Sequence, residues 1–176
     1  MVGKPVALRL LGPKTDWVQQ TFSYHRTVAP MLWAFVALAT IEMLVVHLFI
    51  TLRWPAVGWP LLLASATSVL WMVHWIRSMS RYPHTLTAEA LQVRTGSLRL
   101  LKVPLASIDR LMSRWPSGDH KGAGAINTVP LAHPNRMLRL NKPIKTRKGM
   151  CQRIALRVDD PIRFDEVMAK HGIVVD

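Results

Sequence analysis

The sequence predicts an α+β chain in two parts, a hairpin of two transmembrane helices followed by an antiparallel β-barrel or bent sheet that a C-terminal helix caps. Half of the 176 residues are hydrophobic although the formal net charge is +13, and these two properties separate along the chain. Between Thr27 and Ile76 the charged residues are Glu42 and Arg53, whereas lysine and arginine are frequent in the remainder. The predicted parts are an N-terminal arm (1–26), the helical hairpin (27–77) and a cytoplasmic domain (81–176).

The hairpin prediction depends on two long apolar runs, residues 27–52 and 56–76. They hold about 26 and about 21 residues, and about 20 residues of helix cross the roughly 30 Å hydrocarbon core of a bilayer. The link between them contains Arg53 and Pro55 and is too short for anything but an antiparallel turn. The first run begins too late and is too long for a cleaved signal peptide. We therefore expect both helices to remain in the mature protein.

Positive charge on both flanks of the hairpin predicts its orientation. The flanking cations are Lys4, Arg9, Lys14 and Arg26 before it, and Arg77 and Arg81 after it. Such an excess is typical of cytoplasmic flanks, so we expect both termini in the cytoplasm. Within the arm, residues 16–25 (DWVQQTFSYH) predict either a short helix at the membrane interface or a segment that binds a partner. Cys151 is alone in the sequence, so no disulfide can form within one chain.

The second half alternates short apolar runs with turn residues, which is typical of strands. The predicted strands are 85–87, 91–95, 98–103, 108–113, 126–131, 136–140 and 151–158. Gly96 indicates a tight turn, and the glycine-rich stretch 117–124 indicates a loop. A closing helix of about ten residues is predicted because Asp160 suits the N-cap, Pro161 suits the first turn and Gly172 suits the stop.

Two stretches carry a resemblance to a known family. "YPHTLTAEALQVRTGSLRLLKVPLASIDRL", residues 82–111, resembles the opening of a bacterial pleckstrin-homology-like (PH-like) domain, and "PIRFDEVMAKHG", residues 161–172, is similar to its closing helix. The resemblance covers residues 81–172 and implies a PH-like fold behind two membrane spans, as in many small bacterial inner-membrane proteins. It implies no single function, because this fold hosts lipid-headgroup binders, peptide binders and oligomerisation modules.

Residues 136–157 contain eight lysines and arginines and no acid, which predicts contact with an anionic surface. The candidate residues for binding anionic lipid or a partner are Arg136, Arg139, Lys142, Lys145, Arg147 and Lys148. Each lysine or arginine near a negative cytoplasmic leaflet contributes about 1 kcal/mol of attraction. A solvated turn with ordinary positive-inside bias explains the same charge. Nucleic acid is disfavoured, because the segment has no interleaved aromatic residues and follows a membrane tether.

An acid and a histidine lie inside the apolar hairpin, and they are the main functional candidates there. An ionised carboxylate costs several kcal/mol in hydrocarbon, so Glu42 requires a partner. The candidate set is Glu42, His47, Ser65, Thr67 and Ser68. In one interpretation Glu42 is protonated and bonded to these hydroxyl groups as a lock between the helices. In the other it belongs to a proton or ion path, or it is a ligand to a bound ion.

Cofactor and enzyme sites receive little support from the residues. His47 could serve as an axial ligand to a tetrapyrrole, but no attachment motif accompanies it. Glu42 and His47 are five residues apart, about 140° around a helix, so one hairpin does not gather a metal site, and we expect none. The chain has no nucleophile elbow, phosphate loop or metalloprotease motif, and we expect a protein that is not an enzyme.

These observations favour a non-enzymatic inner-membrane protein. Its two-span anchor presents a basic PH-like domain that binds protein partners, anionic lipid or both, as a subunit or assembly factor of a larger membrane complex. The alternative is a homo-oligomeric ion or proton channel, or a transport accessory, in which Glu42 lines the route.

Overall fold

Two long helices begin the part of the chain that the computed structural model describes, which comprises residues 19–120, 122–129, 131–146 and 149–176. Helix α1 spans Ala29–Arg53 and helix α2 spans Pro55–Arg81. Only Trp54 separates them, because Pro55 takes a first-turn position of α2, where its missing N–H costs no hydrogen bond. Helix α2, with 27 residues, is longer than its predicted run 56–76, whereas α1, with 25 residues, is close to its predicted run 27–52. The two helices pack against each other as an antiparallel hairpin.

The surface of this hairpin is unlike that of helices in a soluble core. Both helices are long and apolar enough to cross a membrane. Within their most apolar 18-residue stretches, only 11% and 6% of the residues are buried inside the protein. Leu44, Phe49 and Leu63 are among the large apolar side chains left exposed along the helices. Burial against protein therefore does not account for the composition of these helices.

The rest of the described chain contains nine strands, a short 3-10 helix at Leu105–Ser107 and a third α-helix. The strands are β1 (Gln20–Phe22), β2 (His84–Leu86), β3 (Ala90–Thr95), β4 (Arg99–Pro104), β5 (Ile108–Met112), β6 (Ala125–Asn127), β7 (Arg136–Thr146), β8 (Gly149–Leu156) and β9 (Val174–Val175). Helix α3 spans Pro161–Lys170, and Asp160 caps it by accepting a hydrogen bond from the Arg163 N–H (3.1 Å). The predicted α+β layout and the C-terminal helix are confirmed.

The strands form two sheets, which together with α3 are called the β domain. The first sheet has the order β1-β2-β3-β4, and the second has the order β6-β8-β7-β5-β9. The first sheet is antiparallel throughout, but β6 pairs parallel to β8 and β5 pairs parallel to β9. The expectation of an entirely antiparallel barrel or bent sheet is therefore wrong in the second sheet. In the second sheet, strands that are distant along the chain pair with each other, and the alternation of apolar and polar residues within a strand does not specify its partner.

Strand β7 continues well beyond its predicted end at residue 140. It crosses Pro143, and its pairing with β8 shifts register between Arg139 and Ile144. Proline lacks an N–H for the sheet, so it is tolerated where pairing is interrupted. Lys142 and Lys145 consequently lie on a strand rather than in a turn.

The core of the β domain lies beneath α3. Phe164 is fully buried and meets Phe22 edge to face, with ring centroids 4.9 Å apart. Leu138 and Ile154 contribute from the second sheet, and Leu91 contributes from the first. Burying one such large apolar side chain stabilises the fold by about 1.5–3 kcal/mol. The closing helix is therefore part of the core rather than an appendage.

The segment before the hairpin is not a free arm where the structure describes it. Gln20–Phe22 form β1, which pairs antiparallel with β2. Phe22 and Tyr24 are each only 4% exposed. The predicted interfacial helix is therefore wrong at these residues, because their aromatic side chains are buried in the protein rather than available to a membrane interface. Residues 16–18 of that prediction lie outside the described residues.

Candidate functional site

A groove between α1 and α2 contains all five polar residues that the sequence singled out in the hairpin. It has a volume of about 740 Å³. Its lining includes Glu42, His47, Ser65, Thr67 and Ser68. Met43, Val46, Val69 and Trp71 are among its apolar walls. The structure thus brings the candidate set together in one place, which is called the hairpin groove below.

The bond between the two helices in this groove is made by His47 rather than by Glu42. The His47 Nδ1 lies 2.8 Å from the Met43 carbonyl, which can only accept, so Nδ1 carries the proton. In the neutral ring Nε2 then accepts from the Ser65 hydroxyl, at 3.1 Å. One of the two interpretations of the sequence has Glu42 bonded to the α2 hydroxyl groups, but the bond between the helices that the structure shows is between His47 and Ser65. The position of each residue along its helix did not show which side chain of α1 faces Ser65.

The other hydroxyl groups of the groove are bonded within their own helix. Thr67 donates to the Leu63 carbonyl (2.8 Å), and Ser68 donates to the Ala64 carbonyl (2.9 Å). Such bonds to the preceding turn are common for serine and threonine in helices. These hydroxyl hydrogens are consequently not directed at Glu42.

The Glu42 side chain is exposed in the groove. Within the described part of the chain it has no hydrogen-bond or ion-pair partner. The groove is also lined by a histidine with both ring nitrogens engaged and by hydroxyl groups that already donate elsewhere. Glu42 is therefore an acid in an apolar helix pair whose hydrogen-bonding capacity is unfilled.

The side chains of the groove and of the other described residues also bear on metal and tetrapyrrole binding. Among the described residues, no group of three or more His, Cys, Asp and Glu side chains is placed to hold a metal ion. His47 would have to release Ser65 before its Nε2 could coordinate an axial position. The groove therefore offers a hydrogen-bonding surface in its present arrangement rather than a ligand set.

Some cations of the predicted basic surface are held in ion pairs with aspartates, and others have no acidic partner among the described residues. Arg136 makes a two-pronged ion pair with Asp165 on α3, through Nε (2.7 Å) and Nη2 (2.5 Å). Its side chain is only 13% exposed. Bidentate pairs of this kind fix geometry, so Arg136 attaches α3 to β7 and is removed from the candidate binding residues.

Three of the remaining candidates are exposed residues of β7. Arg139, Lys142 and Lys145 are exposed, whereas Arg147 and Lys148 lie outside the described residues. Arg139 is the cross-strand neighbour of both Arg110 and Arg153. Those two arginines are neutralised by aspartates, and Arg153 also donates to the Ala123 carbonyl (2.9 Å), which holds the glycine-rich loop against the sheet. Arg139 is thus a charge in this row without an acidic partner among the described residues.

A joint between the hairpin and the β domain was not foreseen from the sequence. Tyr24 precedes α1 and stacks on His84 of β2, with ring centroids 4.4 Å apart. Its hydroxyl oxygen accepts from the Gly96 N–H (2.6 Å), and burial raises the pKa of this hydroxyl. The next residue in the turn, Ser97, donates its N–H to Ser78 Oγ of α2 (2.9 Å).

His84 is the buried polar residue at the centre of this joint. Its Nδ1 accepts from the Arg94 N–H (3.0 Å), so the neutral ring donates from Nε2 to the Arg157 carbonyl (3.1 Å). Burial lowers the pKa of His84 from 6.5 to about 4, although the Arg157 carbonyl and the charge of Asp159 act in the opposite direction. No short-range sequence pattern marks these residues, because their partners are distant along the chain.

Comparison of the chain with family models, with curated proteins and with solved structures gives no match. The assignment of a function consequently depends on the hairpin groove, the free cations and the joint.

Proposed function

We propose that the chain is a non-enzymatic protein of the bacterial inner membrane, a subunit or assembly factor of a larger membrane complex. In this proposal α1 and α2 cross the bilayer, and the basic PH-like β domain lies at its cytoplasmic face and binds protein partners and anionic lipid. The exposed apolar surface of the hairpin supports the membrane placement, because lipid rather than water is its favourable solvent. The two sheets closed by α3 support the PH-like part.

The orientation has support from the joint and from charge. Because β1 pairs with β2, the chain entering α1 and the chain leaving α2 lie on the same side of the hairpin. Arg77 and Arg81 lie on this side, and Arg53 lies alone at the opposite end. The excess of cations favours the cytoplasm for the side that carries the β domain. Arg139, Lys142 and Lys145 then add about 1 kcal/mol each where they approach an anionic leaflet.

The observation that carries the proposal is the unfilled hydrogen-bonding capacity of Glu42. Within a bilayer no water would complete its bonding, and an isolated carboxylate there is costly. The groove hydroxyl groups donate elsewhere and no side chain of the described residues bonds Glu42, so a donor from outside the hairpin would complete its bonding. A second membrane helix with a basic or amide side chain at that depth fits, and the apolar walls of the groove would pack against it.

The test is recovery of partners from native membranes with a mild detergent. We expect the wild type to retain at least one membrane protein, and Glu42→Leu to lower its recovery at least tenfold because the polar contact is removed. Glu42→Gln should retain part of the binding, since an amide still accepts and donates. Leu44→Ala is the matched control, because Leu44 is exposed on α1 but does not line the groove.

Two outcomes would contradict this assignment. Equal recovery of the same partners by Glu42→Leu and the wild type would remove the groove from partner binding. If the wild type purified as an oligomer of itself, and Glu42→Gln kept that oligomer but abolished ion or proton flux in vesicles, the channel alternative would replace the proposed subunit or assembly factor.

A further inference from the structure

A second cavity lies in the β domain, where the two sheets meet. It has a volume of about 670 Å³. It is lined by β4 and its preceding turn (Leu98, Arg99, Leu100, Leu101), by Ile126 of β6 and by Lys145 and Thr146 of β7. Because β4 is the last strand of the first sheet and β6 is the first strand of the second, the cavity opens along the seam between two sheet edges. It is called the seam pocket.

Two free cations give the seam pocket its charge. Arg99 and Lys145 are exposed, and neither side chain makes a hydrogen bond or an ion pair within the described residues. No acid is among the residues that line the pocket. This differs from Arg110, Arg136 and Arg153, each of which is bonded to an aspartate. Unneutralised cations across a cavity favour a ligand with negative charge.

Apolar side chains surround these cations and remain in contact with solvent. Leu98 is 54% exposed, Leu100 is 45% exposed, and Met150, the cross-strand neighbour of Lys145, is 60% exposed. Leu101 and Ile126 line the interior. Large exposed apolar groups beside a cationic cavity suit an amphiphile, because a purely polar anion would leave them in water.

The position of the pocket relative to the hairpin points to the source of that amphiphile. Ser97, the residue before Leu98, donates its N–H to Ser78 Oγ in the last turns of α2. Ala132, in the loop that follows β6, packs on the apolar cluster at the same end of the hairpin. In the proposed membrane orientation, this end of α2 leaves the bilayer at the cytoplasmic leaflet. Leu98 therefore starts the pocket at the level of the lipid headgroups.

We propose that the seam pocket binds one anionic phospholipid of the cytoplasmic leaflet. Its phosphate lies between Arg99 and Lys145, and an acyl chain follows Leu98 and Leu100 toward the bilayer. The inference rests on the membrane placement in the proposed function but not on the partner helix at Glu42. An acidic peptide pairing with the free edge of β4 is the competing occupant. The exposed leucines next to the hairpin favour the lipid, because a peptide would not require the pocket to begin at the membrane.

The experiment is native mass spectrometry of the full chain released from detergent, after addition of phosphatidylglycerol or phosphatidylcholine at equal concentration. We expect the wild type to retain phosphatidylglycerol at least tenfold more than phosphatidylcholine. The double variant Arg99→Gln/Lys145→Gln should lose this preference. The control Arg114→Gln/Lys170→Gln removes the same charge from exposed positions that do not line the pocket, and it should keep the preference.

Further arms separate a lipid from its headgroup and from a peptide. Leu98→Ser/Leu100→Ser should lower retention of long-chain phosphatidylglycerol, because the chain contact is removed. Inorganic phosphate in excess should not displace the lipid, and displacement would overturn the proposal in favour of a soluble anion site. Equal retention by the Arg99→Gln/Lys145→Gln variant and the wild type would overturn it. So would equal loss in the Arg114→Gln/Lys170→Gln control, or a co-purifying peptide that binds in place of lipid.

The result is independent of partner binding in the membrane. Glu42→Leu leaves the seam pocket unchanged, so this variant should retain phosphatidylglycerol as the wild type does. Loss of lipid preference in Arg99→Gln/Lys145→Gln with unchanged partner recovery would support the pocket alone. Loss of partner in Glu42→Leu with no lipid preference in any variant would support the proposed function and reject the pocket.

Discussion

His84 shows how a single buried side chain can define the junction between the hairpin and the β domain. Its ring lies against Tyr24, and both of its nitrogens are engaged with backbone groups of β3 and of the segment after β8. A second ring proton would point at the Arg94 N–H, so protonation would break a hydrogen bond and place a charge in an apolar setting. The neutral form is therefore the one that the fold stabilises.

This geometry predicts that acid weakens the fold in a defined pH range. The pKa of His84 is about 4 when folded and 6.5 ordinarily, so between these values the unfolded chain binds a proton that the folded chain does not. Stability should fall as the pH drops from 6.5 to 4, by on the order of 3 kcal/mol in total, and this contribution should level off below pH 4.

The measurement is the unfolding free energy of the full chain in detergent between pH 8 and pH 4. His84→Gln should show a shallower decline than the wild type over this range. His133→Gln, which changes an exposed histidine, should keep the wild-type decline. Parallel curves for the wild type and His84→Gln would show that His84 does not contribute.

At the scale of elements, the turn between β3 and β4 connects the β domain to α2. Gly96 adopts φ +54°, a left-handed conformation that other residues adopt at a cost. A Cβ at this position would lie 2.5 Å from Ser78 Oγ and 3.1 Å from Trp75 Nε1. Both the backbone angle and the close approach to α2 therefore require glycine here.

Gly96→Ala should consequently destabilise the joint more than a comparable change elsewhere. Gly118 is the matched control, since its φ is +89° but a methyl group there would meet no atom within 4 Å beyond its chain neighbours. We expect Gly118→Ala to cost about 1–2 kcal/mol through backbone strain alone. Gly96→Ala should cost about 1–3 kcal/mol more through the clash with α2.

Thermal or denaturant unfolding of both variants in detergent measures this difference. Gly96→Ala should cost less in a Ser78→Ala background than in the wild type, because the nearest clashing atom is then absent, and the Ser78→Ala variant alone measures the loss of the bond to the Ser97 N–H. Equal destabilisation by the Gly96 and Gly118 variants would mean that the turn does not press on α2.

At the scale of the whole molecule, β1 makes the chain on either side of the hairpin part of one sheet. The Asp159 N–H donates to the Ser23 carbonyl (2.8 Å), and Asp159 Oδ2 accepts from the Arg26 N–H (3.2 Å). Strand β2 and the segment after β8, which are distant in sequence, thus fix the start of α1 to the β domain. The hairpin and the domain are joined by strand pairing and hydrogen bonds, rather than only by the peptide chain after α2.

The proposed orientation predicts which residues are reached from outside the cell. In a Cys151→Ala background, Trp54→Cys should react with a membrane-impermeant maleimide in intact cells, because Trp54 lies exposed at the far end of the hairpin. Lys170→Cys, on the β domain, should react only after the inner membrane is permeabilised. The reverse pattern would invert the orientation, and labelling of both sites in intact cells would exclude the cytoplasmic placement.

Much of the local structure could be predicted because it depends on neighbouring residues. The limits of β5 and α3 agree with the sequence within one or two residues, since alternation, Asp160 and Gly172 mark them locally. Strands β1 and β9 could not be found this way. They are three and two residues long, too short for a periodic signal, and they exist because a distant strand offers unpaired backbone groups.

The residues of the candidate site could be predicted from the sequence, but their contacts could not. The sequence identified Glu42, His47 and the hydroxyl residues of α2, because a polar side chain in an apolar run stands out from its neighbours. It did not show that Ser65 bonds to His47, that Arg136 is held by Asp165, or that Arg99 and Lys145 face one pocket. Each of these depends on the rotation of a helix or on the pairing of strands.

The two apolar helices, the basic β domain and the positions of most strands along the chain follow from the sequence, because the preference of side chains for water or apolar surroundings acts residue by residue. The partners of the polar groups, and the polar groups left without one, depend on the tertiary structure. Hydrogen bonds and close ion pairs require atoms about 3 Å apart, so they depend on where folding places atoms that the chain separates by tens of residues.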